Sequence, residues 1–284
     1  MEAVSARRAM IPEIIPLMAT HFKENEAFFT RMVQLDVERG WGFGRDEIGS
    51  VLVDGGRIVG FYGLHHSRRP VGGAARDFLA MFGAVVDPAY RGRGTDMLVE
   101  HALGDREANY IAWTANPSMD RRYRRLGFLP QNDGAVLVWP GSAALTLAAA
   151  PFLRRVAPEA FAAAADAATA KIFADHRGGV LREHLFLAFG RPLGLITRRI
   201  YHEKRHPVSE LCFVNDAELL RRVFEPVRLL VHLRDRTVAM WLNPPEIGFR
   251  PAFARPAPGQ YLYRSPDLGP GDFRALYGEL LILE

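Results

Sequence analysis

The chain has 284 residues, 49% apolar and 24% charged, a composition that suits one large core or two ordinary ones and excludes a disordered or fibrous chain. Its one cysteine, Cys212, rules out an internal disulfide framework, and no apolar stretch is long enough to cross a bilayer as a helix. The net charge is only +4, from 36 basic and 32 acidic residues, and no basic run carries the interleaved aromatics of a nucleic-acid surface.

Met1 to Met10 lacks the apolar core of a secretion signal, so a cytoplasmic protein with no membrane or nucleic-acid partner is expected. Residues 3–9, with Val4 and Ala6, suit an edge strand. Pro12 to Phe22 places Ile14, Ile15, Met18 and Phe22 on one helical face, and Phe28 to Val37 suits a second helix. Gly40-Trp41-Gly42-Phe43-Gly44 is a loop. Ser50–Val53 and Arg57–Leu64 flank Asp54-Gly55-Gly56, a hairpin signal. His65 to Pro70 is then expected as a polar loop. Phe78 to Val86 is an apolar run suited to a buried strand, ended by Asp87-Pro88.

The turn Arg91-Gly92-Arg93-Gly94-Thr95 leads into a helix, Asp96 to Leu103, with Met97, Leu98, Ala102 and Leu103 at helical spacing. A helix N-terminus presents free N–H groups and partial positive charge, glycine lets backbone approach a ligand, and Arg91 and Arg93 add two cations. The turn suits a phosphate or pyrophosphate. Taken alone, it reads equally well as a solvated strand–helix connection. Asn109 to Ala115 is a further strand, Asn116-Pro117-Ser118 a helix entry, Met119 to Leu126 an arginine-rich helix, and Gly127 its C-terminal stop before Phe128.

These two halves together resemble the GNAT superfamily of acyl-CoA-dependent N-acyltransferases. Val86, Pro88, Arg91 and Gly94 match its strand-and-loop pattern V-x-P-x-x-R followed by (Q/R)-x-x-G-x-(G/A). Asn116, Tyr123, Leu126, Gly127 and Phe128 match N-x-x-A-x-x-x-Y-x-x-(L/F)-G-F, with Met119 at the small position. The resemblance covers roughly residues 3–140, about half the chain. It implies acetyl-CoA or another acyl-CoA as cosubstrate, no metal, and a small-molecule or protein amine as acceptor. It implies that Arg91, Gly92, Arg93, Gly94 and Thr95 hold the pyrophosphate, that backbone groups of Val85 and Val86 hold the pantetheine arm, that the Asn116 side chain hydrogen-bonds that arm or a water, and that Tyr123 protonates the leaving thiolate. The segment bearing Trp41 and Phe43 would line the acceptor site, or close the rim of the core. Asp77 ranks first as a base, ahead of Asp46, Glu47, His65 and His66; a water chain would serve without any of them.

Asp96 departs from the pattern: a carboxylate stands at the last small position of the loop, where it would repel a pyrophosphate unless it points away. The alternative reading is therefore a non-catalytic GNAT-fold protein that binds acyl-CoA or a protein partner.

After Pro140 the character changes. Ala143 to Ala170 is alanine-rich, Pro158 suits the first turn of a helix running to about Ala174, and Leu181 to Phe189 suits a strand. Leu193 to Lys204 is expected as a helix, Val227–Leu233 and Thr237–Leu242 as a hairpin, Tyr261–Arg264 as a strand and Phe273–Leu283 as an amphipathic segment. His202-Glu203-Lys204-Arg205-His206 fits the H-E-x-x-H zinc motif, but its two central residues are charged and Pro207 would end the helix at the second ligand. The expected fold is α/β: a GNAT-like mixed sheet flanked by helices over residues 1–140, closed by a strand at Ala135–Trp139, and a smaller α/β domain over 141–284. The second domain would cover the acceptor site, set substrate choice or form a dimer contact. Whether it is a degenerate second copy is open, since no sequence repeat stands out.

Overall fold

The computed structural model describes residues 1–22, 26–27, 29–30, 45–71, 74–112, 117–131, 134–139, 141, 146, 148–177, 181–202, 205–257, 261–273 and 276. In place of one cut at residue 140, the chain divides into a unit of Met1–Gln131 with Gln260–Phe273 and a unit of Asn132–Gly259. The expectations for most of Phe28–Val37, for Trp41 and Phe43, for Asn116 and for most of Phe273–Leu283 fall outside the described residues.

The first unit opens with β1 (Glu2–Arg7) and α1 (Ile11–Phe22), then the meander β2 (Glu47–Asp54), β3 (Arg57–Val71) and β4 (Ala74–Val86). Gly55 and Gly56, at φ 56° and 81°, make the tight β2–β3 turn that the sequence signals. After β4 come α2 (Arg93–Ala102), β5 (Asn109–Ala112), α3 (Pro117–Arg125) and β6 (Leu129–Pro130). β5 runs parallel to β4, from Phe78↔Asn109 to Met81↔Ala112. Leu98, Val99 and Ala102 of α2 pack with Leu52, Val59, Tyr62, Tyr123 and Phe128 in one apolar cluster.

The polar stretch 65–70 is strand rather than loop. β3 continues through it, paired residue by residue from His65↔Ala80 to Pro70↔Ala75. Alternation carries the ladder there: His65, Ser67 and Arg69 are buried, while Arg68 faces Asp77 across the strands and forms an ion pair with it.

The second unit contains β7 (Val136–Val138), β8 (Leu153–Arg155), α4 (Pro158–Ala164), α5 (Ala167–Asp175), β9 (Arg182–Ala188), β10 (Arg191–His202), β11 (His206–Val214), α6 (Ala217–Asp235), β12 (Ala239–Leu242), α7 (Pro244–Ile247) and β13 (Ala254–Pro256). A last strand, β14 (Leu262–Arg264), returns to the first sheet. The strand orders are β1-β2-β3-β4-β5-β14-β6 and, in the second sheet, β8-β9-β10-β11-β12-β7-β13. Three antiparallel pairs are followed by one parallel pair in each, β4–β5 and β11–β12, and a helix bridges each parallel pair. The second unit thus repeats the topology of the first, which answers the question that the sequence left open.

The expected closing strand at 135–139 forms, as β7, but it lies in the second sheet between β12 and β13. The equivalent place in the first sheet, between β5 and β6, is taken by β14. Arg264 anchors it, donating from Nη2 to the carbonyls of Leu103 at 2.7 Å and Asp105 at 3.0 Å, with its guanidinium 4.7 Å from the Tyr110 ring centre.

Three further expectations are corrected. The helix expected over 193–204 is not found in its described part: 193–202 lie in strand β10, paired with β9 and β11. Leu193 and Leu195 join the cluster that holds Leu219 and Leu220 of α6, whereas Gly194 lies against Phe161 of α4 and Phe173 of α5. A strand buried on both faces loses its alternation and reads as an unbroken apolar run. Residues 227–233 are not a strand but part of α6, whose Leu220, Val223, Phe224, Val227 and Val231 share one buried face. Pro226 is accommodated by non-helical geometry at Val223, φ −121° and ψ 21°. The helix expected from Pro158 is broken at Ala165, and Asp166 caps α5 by accepting from the Thr169 N–H at 2.8 Å. His202 and His206 are cross-strand partners of β10 and β11, not residues of a helix, and the described residues contain no group of three or more potential metal ligands.

A Cβ on Gly194 would lie 2.3 Å from the Phe173 ring and 2.7 Å from that of Phe161. Gly194→Ala is expected to destabilise the second unit by about 1–3 kcal/mol, measured as a lowered urea midpoint.

Candidate active site

The site of the first unit is built on β4, the turn after it, α2 and α3. From Gly63↔Phe82 to Phe61↔Val85 the register advances two residues on β3 and three on β4, so β4 carries a bulge. Gly83 makes it, at φ 59°, where an added Cβ would meet the Met18 methyl at 2.6 Å. Beyond the bulge, Val85 and Val86 pair with Phe61 and Gly60. The Val86 carbonyl accepts from Arg91 Nε at 3.4 Å, which turns Arg91 back onto the strand end.

Asp87 accepts from the Ala89 N–H at 3.0 Å and starts a single 3-10 turn, Pro88–Tyr90. Gly92 follows at φ 84° and ψ −109°, as the N-cap residue of α2. Arg93, Gly94 and Thr95 form the first turn of that helix, whose leading N–H groups have no intrahelical acceptor. Gly94 is buried, and a Cβ there would lie 2.8 Å from Leu52 Cδ2, so the helix start packs directly on β2. These residues fit a pyrophosphate: backbone donors, a close-packed glycine and two arginines on one turn.

Asp96, the departure from the family pattern, is countered within the site. Its carboxylate lies 2.5 Å from Arg122 Nη1 of α3. The arginine-rich run of α3 supplies the neutralising cation.

Tyr123 is 4% exposed and sits with Phe128 at a ring separation of 5.2 Å. α3 ends as expected: Gly127 adopts φ 84°, the Phe128 N–H reaches the Tyr123 carbonyl at 3.0 Å and the Gly127 N–H reaches that of Arg124 at 3.2 Å. The Tyr123 hydroxyl lies 2.6 Å from the Tyr62 hydroxyl, which donates to Met81 Sδ at 2.8 Å. Tyr62 was not singled out from sequence. It is one of many apolar positions on a strand, and only the fold brings it to Tyr123.

Asp77 is placed differently from a free base. Arg68 grips it with two bonds, Nε to Oδ1 at 2.6 Å and Nη2 to Oδ2 at 2.9 Å, and Arg45 Nη2 lies 3.5 Å from Oδ2. The Arg68 hydrogen bonds hold its carboxyl below the usual carboxylate range, and the nearby Arg45 charge adds to this. A carboxylate so stabilised is a weak proton acceptor, so the geometry speaks against Asp77 as base.

A duplicated α/β unit whose first copy carries a bulged strand, a glycine–arginine turn at a helix start and a buried tyrosine pair is the class this geometry defines. Residues 16–128 match the model of the acetyltransferase (GNAT) family. The match covers less than half of the chain and contains Asp77, the turn, Asp96 and Tyr123. Among solved structures, the chain is similar to a GCN5-related N-acetyltransferase from Kribbella flavida, at 16% identity and TM-score 0.55, over 92% of this chain and 70% of that one. It is also similar to one from Anabaena variabilis, at 11% identity and TM-score 0.54, over 92% and 72%. A glucosamine N-acetyltransferase region of a fungal β-N-acetylglucosaminidase aligns at 14% identity and TM-score 0.52, over 92% of this chain and 37% of that one. At such identities the likeness is one of fold, and it runs through both units. No curated protein matches the sequence. The first unit is thus GNAT-like in sequence pattern and fold, and the second is GNAT-like in fold.

Proposed function

We propose that the chain transfers an acyl group, an acetyl group in the simplest case, from acyl-CoA to an amine by direct attack, with Tyr123 as the acid. The observation that carries this reading is the buried Tyr123–Tyr62 hydroxyl pair, set in the same unit as the glycine–arginine turn. Acyl-CoA supplies an activated thioester; the amine nitrogen forms the new C–N bond as the C–S bond breaks. Arg91 and Arg93, with the first N–H groups of α2, bind and orient the pyrophosphate. Val85 and Val86 offer backbone groups to the pantetheine arm, as a strand edge does to a peptide, and Asn116 would add a hydrogen bond to it.

Tyr123 gives its proton to the departing sulfur. Tyr62 then turns its own proton from Met81 Sδ toward the Tyr123 oxygen and stabilises the anion left there. The proton released by the amine passes to water, since the fork of Arg68 occupies Asp77. The acceptor is a small or protein-borne amine, and the reaction needs no metal.

Calorimetric titration with acetyl-CoA and with free coenzyme A tests the reading. Saturable binding is expected, weakened about tenfold by Arg91→Ala, the scale of one charge-assisted hydrogen bond. Absence of binding would sink the proposal. Arg122→Ala is expected to weaken binding about two- to fivefold, the scale of an exposed ion pair, and Asp96→Ala in the same chain to restore it. Failure of that rescue would mean that Asp96 does not face the ligand.

A further inference from the structure

The second unit holds a cavity that acyl transfer does not use. Its volume is about 600 Å³, within the range of small-molecule sites. Its walls combine Phe152, Phe189, Phe249, Arg221, Arg222 and Arg250. Phe152 and Phe189 stack at 4.7 Å between ring centres and 19° between planes, and the Phe189 N–H donates to the Phe152 carbonyl at 2.9 Å. The Arg222 guanidinium lies 4.1 Å from the Phe189 ring centre.

This stack is kept at a conformational cost. Phe189 adopts φ 51° in a two-residue β9–β10 turn completed by Gly190 at φ 78°. Such positions favour Asn, Asp or Gly, and a bulky residue there is an outlier. Yet Phe189 is 38% exposed and Phe152 52%, so core burial does not account for the choice. Phe253, just beyond the wall residues Pro251 and Ala252, repeats the pattern at φ 60° and 64% exposure.

The charges are one-sided. Among the described lining residues Glu225 is the one acid, and it is bonded to the buried Arg228. Arg221 is paired with Glu218 at 2.7 Å, but Arg222 and Arg250 form no ion pair among the described residues. The cavity is not a second copy of the phosphate turn. The segment between β11 and α6 is Asn215-Asp216, without glycine, and Asp216 is taken up by capping α6 and pairing with Arg191.

We propose that this cavity binds a small planar aromatic anion, the ring packed on the Phe152–Phe189 surface and the anionic group held by Arg222 and Arg250. Aromatic faces accept flat rings regardless of substituents, while arginine selects carboxylate, sulfonate or phosphate.

The test titrates the intact protein with two probes, 8-anilinonaphthalene-1-sulfonate and adenosine 5′-monophosphate, each with and without saturating coenzyme A. Saturable one-to-one binding of at least one probe, unaffected by coenzyme A, is expected; the probe that binds shows whether an aryl acid or a nucleotide is preferred. Arg222→Ala and Arg250→Ala should each weaken it about tenfold, the scale of a lost charge-assisted contact. Phe189→Gly suits the turn, so it should leave the melting temperature equal or higher while weakening binding. No saturable binding at millimolar probe overturns the proposal. So does displacement by coenzyme A, or binding indifferent to all three substitutions. Because the probes are read in the presence of coenzyme A, failure here is distinct from failure of the acyltransferase reading.

Discussion

Tyr123→Phe is expected to lower kcat for acetyl transfer by about 10²–10⁴-fold, the span of a positioned general acid, with little change in acetyl-CoA affinity. The substitution removes one oxygen and leaves the ring in place against Phe128. It also leaves the Tyr62 hydroxyl without its 2.6 Å partner in the core, though Tyr62 keeps Met81 Sδ. A stability loss of about 1 kcal/mol follows from one lost buried hydrogen bond, too little to unfold the unit. Tyr62→Phe should cost kcat only about tenfold, one charge-assisted bond's worth, because Tyr62 acts through Tyr123. The double variant should resemble Tyr123→Phe alone, since a relay without its acid has nothing to support. Thiol release in steady state over a panel of amines, with affinity measured separately, reads all three. Unchanged kcat in Tyr123→Phe would remove its role as acid and favour the non-catalytic alternative.

What was legible in sequence follows from how far each signal reaches along the chain. The β2–β3 turn, the strand at Phe78–Val86, the start of α2 and the stop at Gly127 are written in residues that touch only their neighbours. The turn and the stop form where the residues place them, while β4 starts four residues before Phe78 and α2 three residues before Asp96. Strand β10 and the C-terminal half of α6 were misread because their apolar runs answer to partners far away. Burial on both faces erased the alternation of β10, and Pro226 disguised a helix that bends at Val223 to keep it. The exchange of β7 and β14 between the two sheets has no local signature, since both are three-residue strands that fit either sheet. The same distinction holds within the site. Arg91 to Thr95 are visible as a motif, but the Asp96–Arg122 pair and the Tyr62–Tyr123 pair join residues 26 and 61 positions apart and exist only in the fold. Asp77 looked like a base because the apolar run begins only at Phe78, which hides that β4 starts at Ala74 and pairs Asp77 with Arg68 of the extended β3.

The largest stability effect is expected in the second unit, from Asp235→Ala. Asp235 ends α6 fully buried. It accepts from Thr197 at 2.8 Å and Ser209 at 3.1 Å, and lies 3.3 Å from His184 Nε2 and 3.4 Å from Arg182. Burial pushes its carboxyl up, and the hydrogen bonds from His184, Thr197 and Ser209 with the His184 charge outweigh it, so the net shift is downward. Truncation would strand hydroxyl and imidazole groups from β9, β10 and β11 at once, and a loss of about 3–5 kcal/mol is expected. The neighbouring His232 gives the unit its pH dependence. Its Nδ1 meets Thr237 Oγ1 at 3.1 Å, Nε2 is buried without a partner, and burial and then the Arg228 charge pull its value down to about 4. A histidine whose folded value is depressed binds fewer protons folded than unfolded between about pH 6.5 and 4, so stability falls as pH falls through that window, by up to about 3 kcal/mol. Asp235, also depressed, keeps its contribution above the ordinary carboxylate value near 3.9 and loses it only below. Urea unfolding at pH 7 and at pH 4.5 should therefore show a drop that His232→Gln removes and Asp235→Ala does not. An unchanged midpoint between the two pH values would show that His232 is not held neutral by its burial.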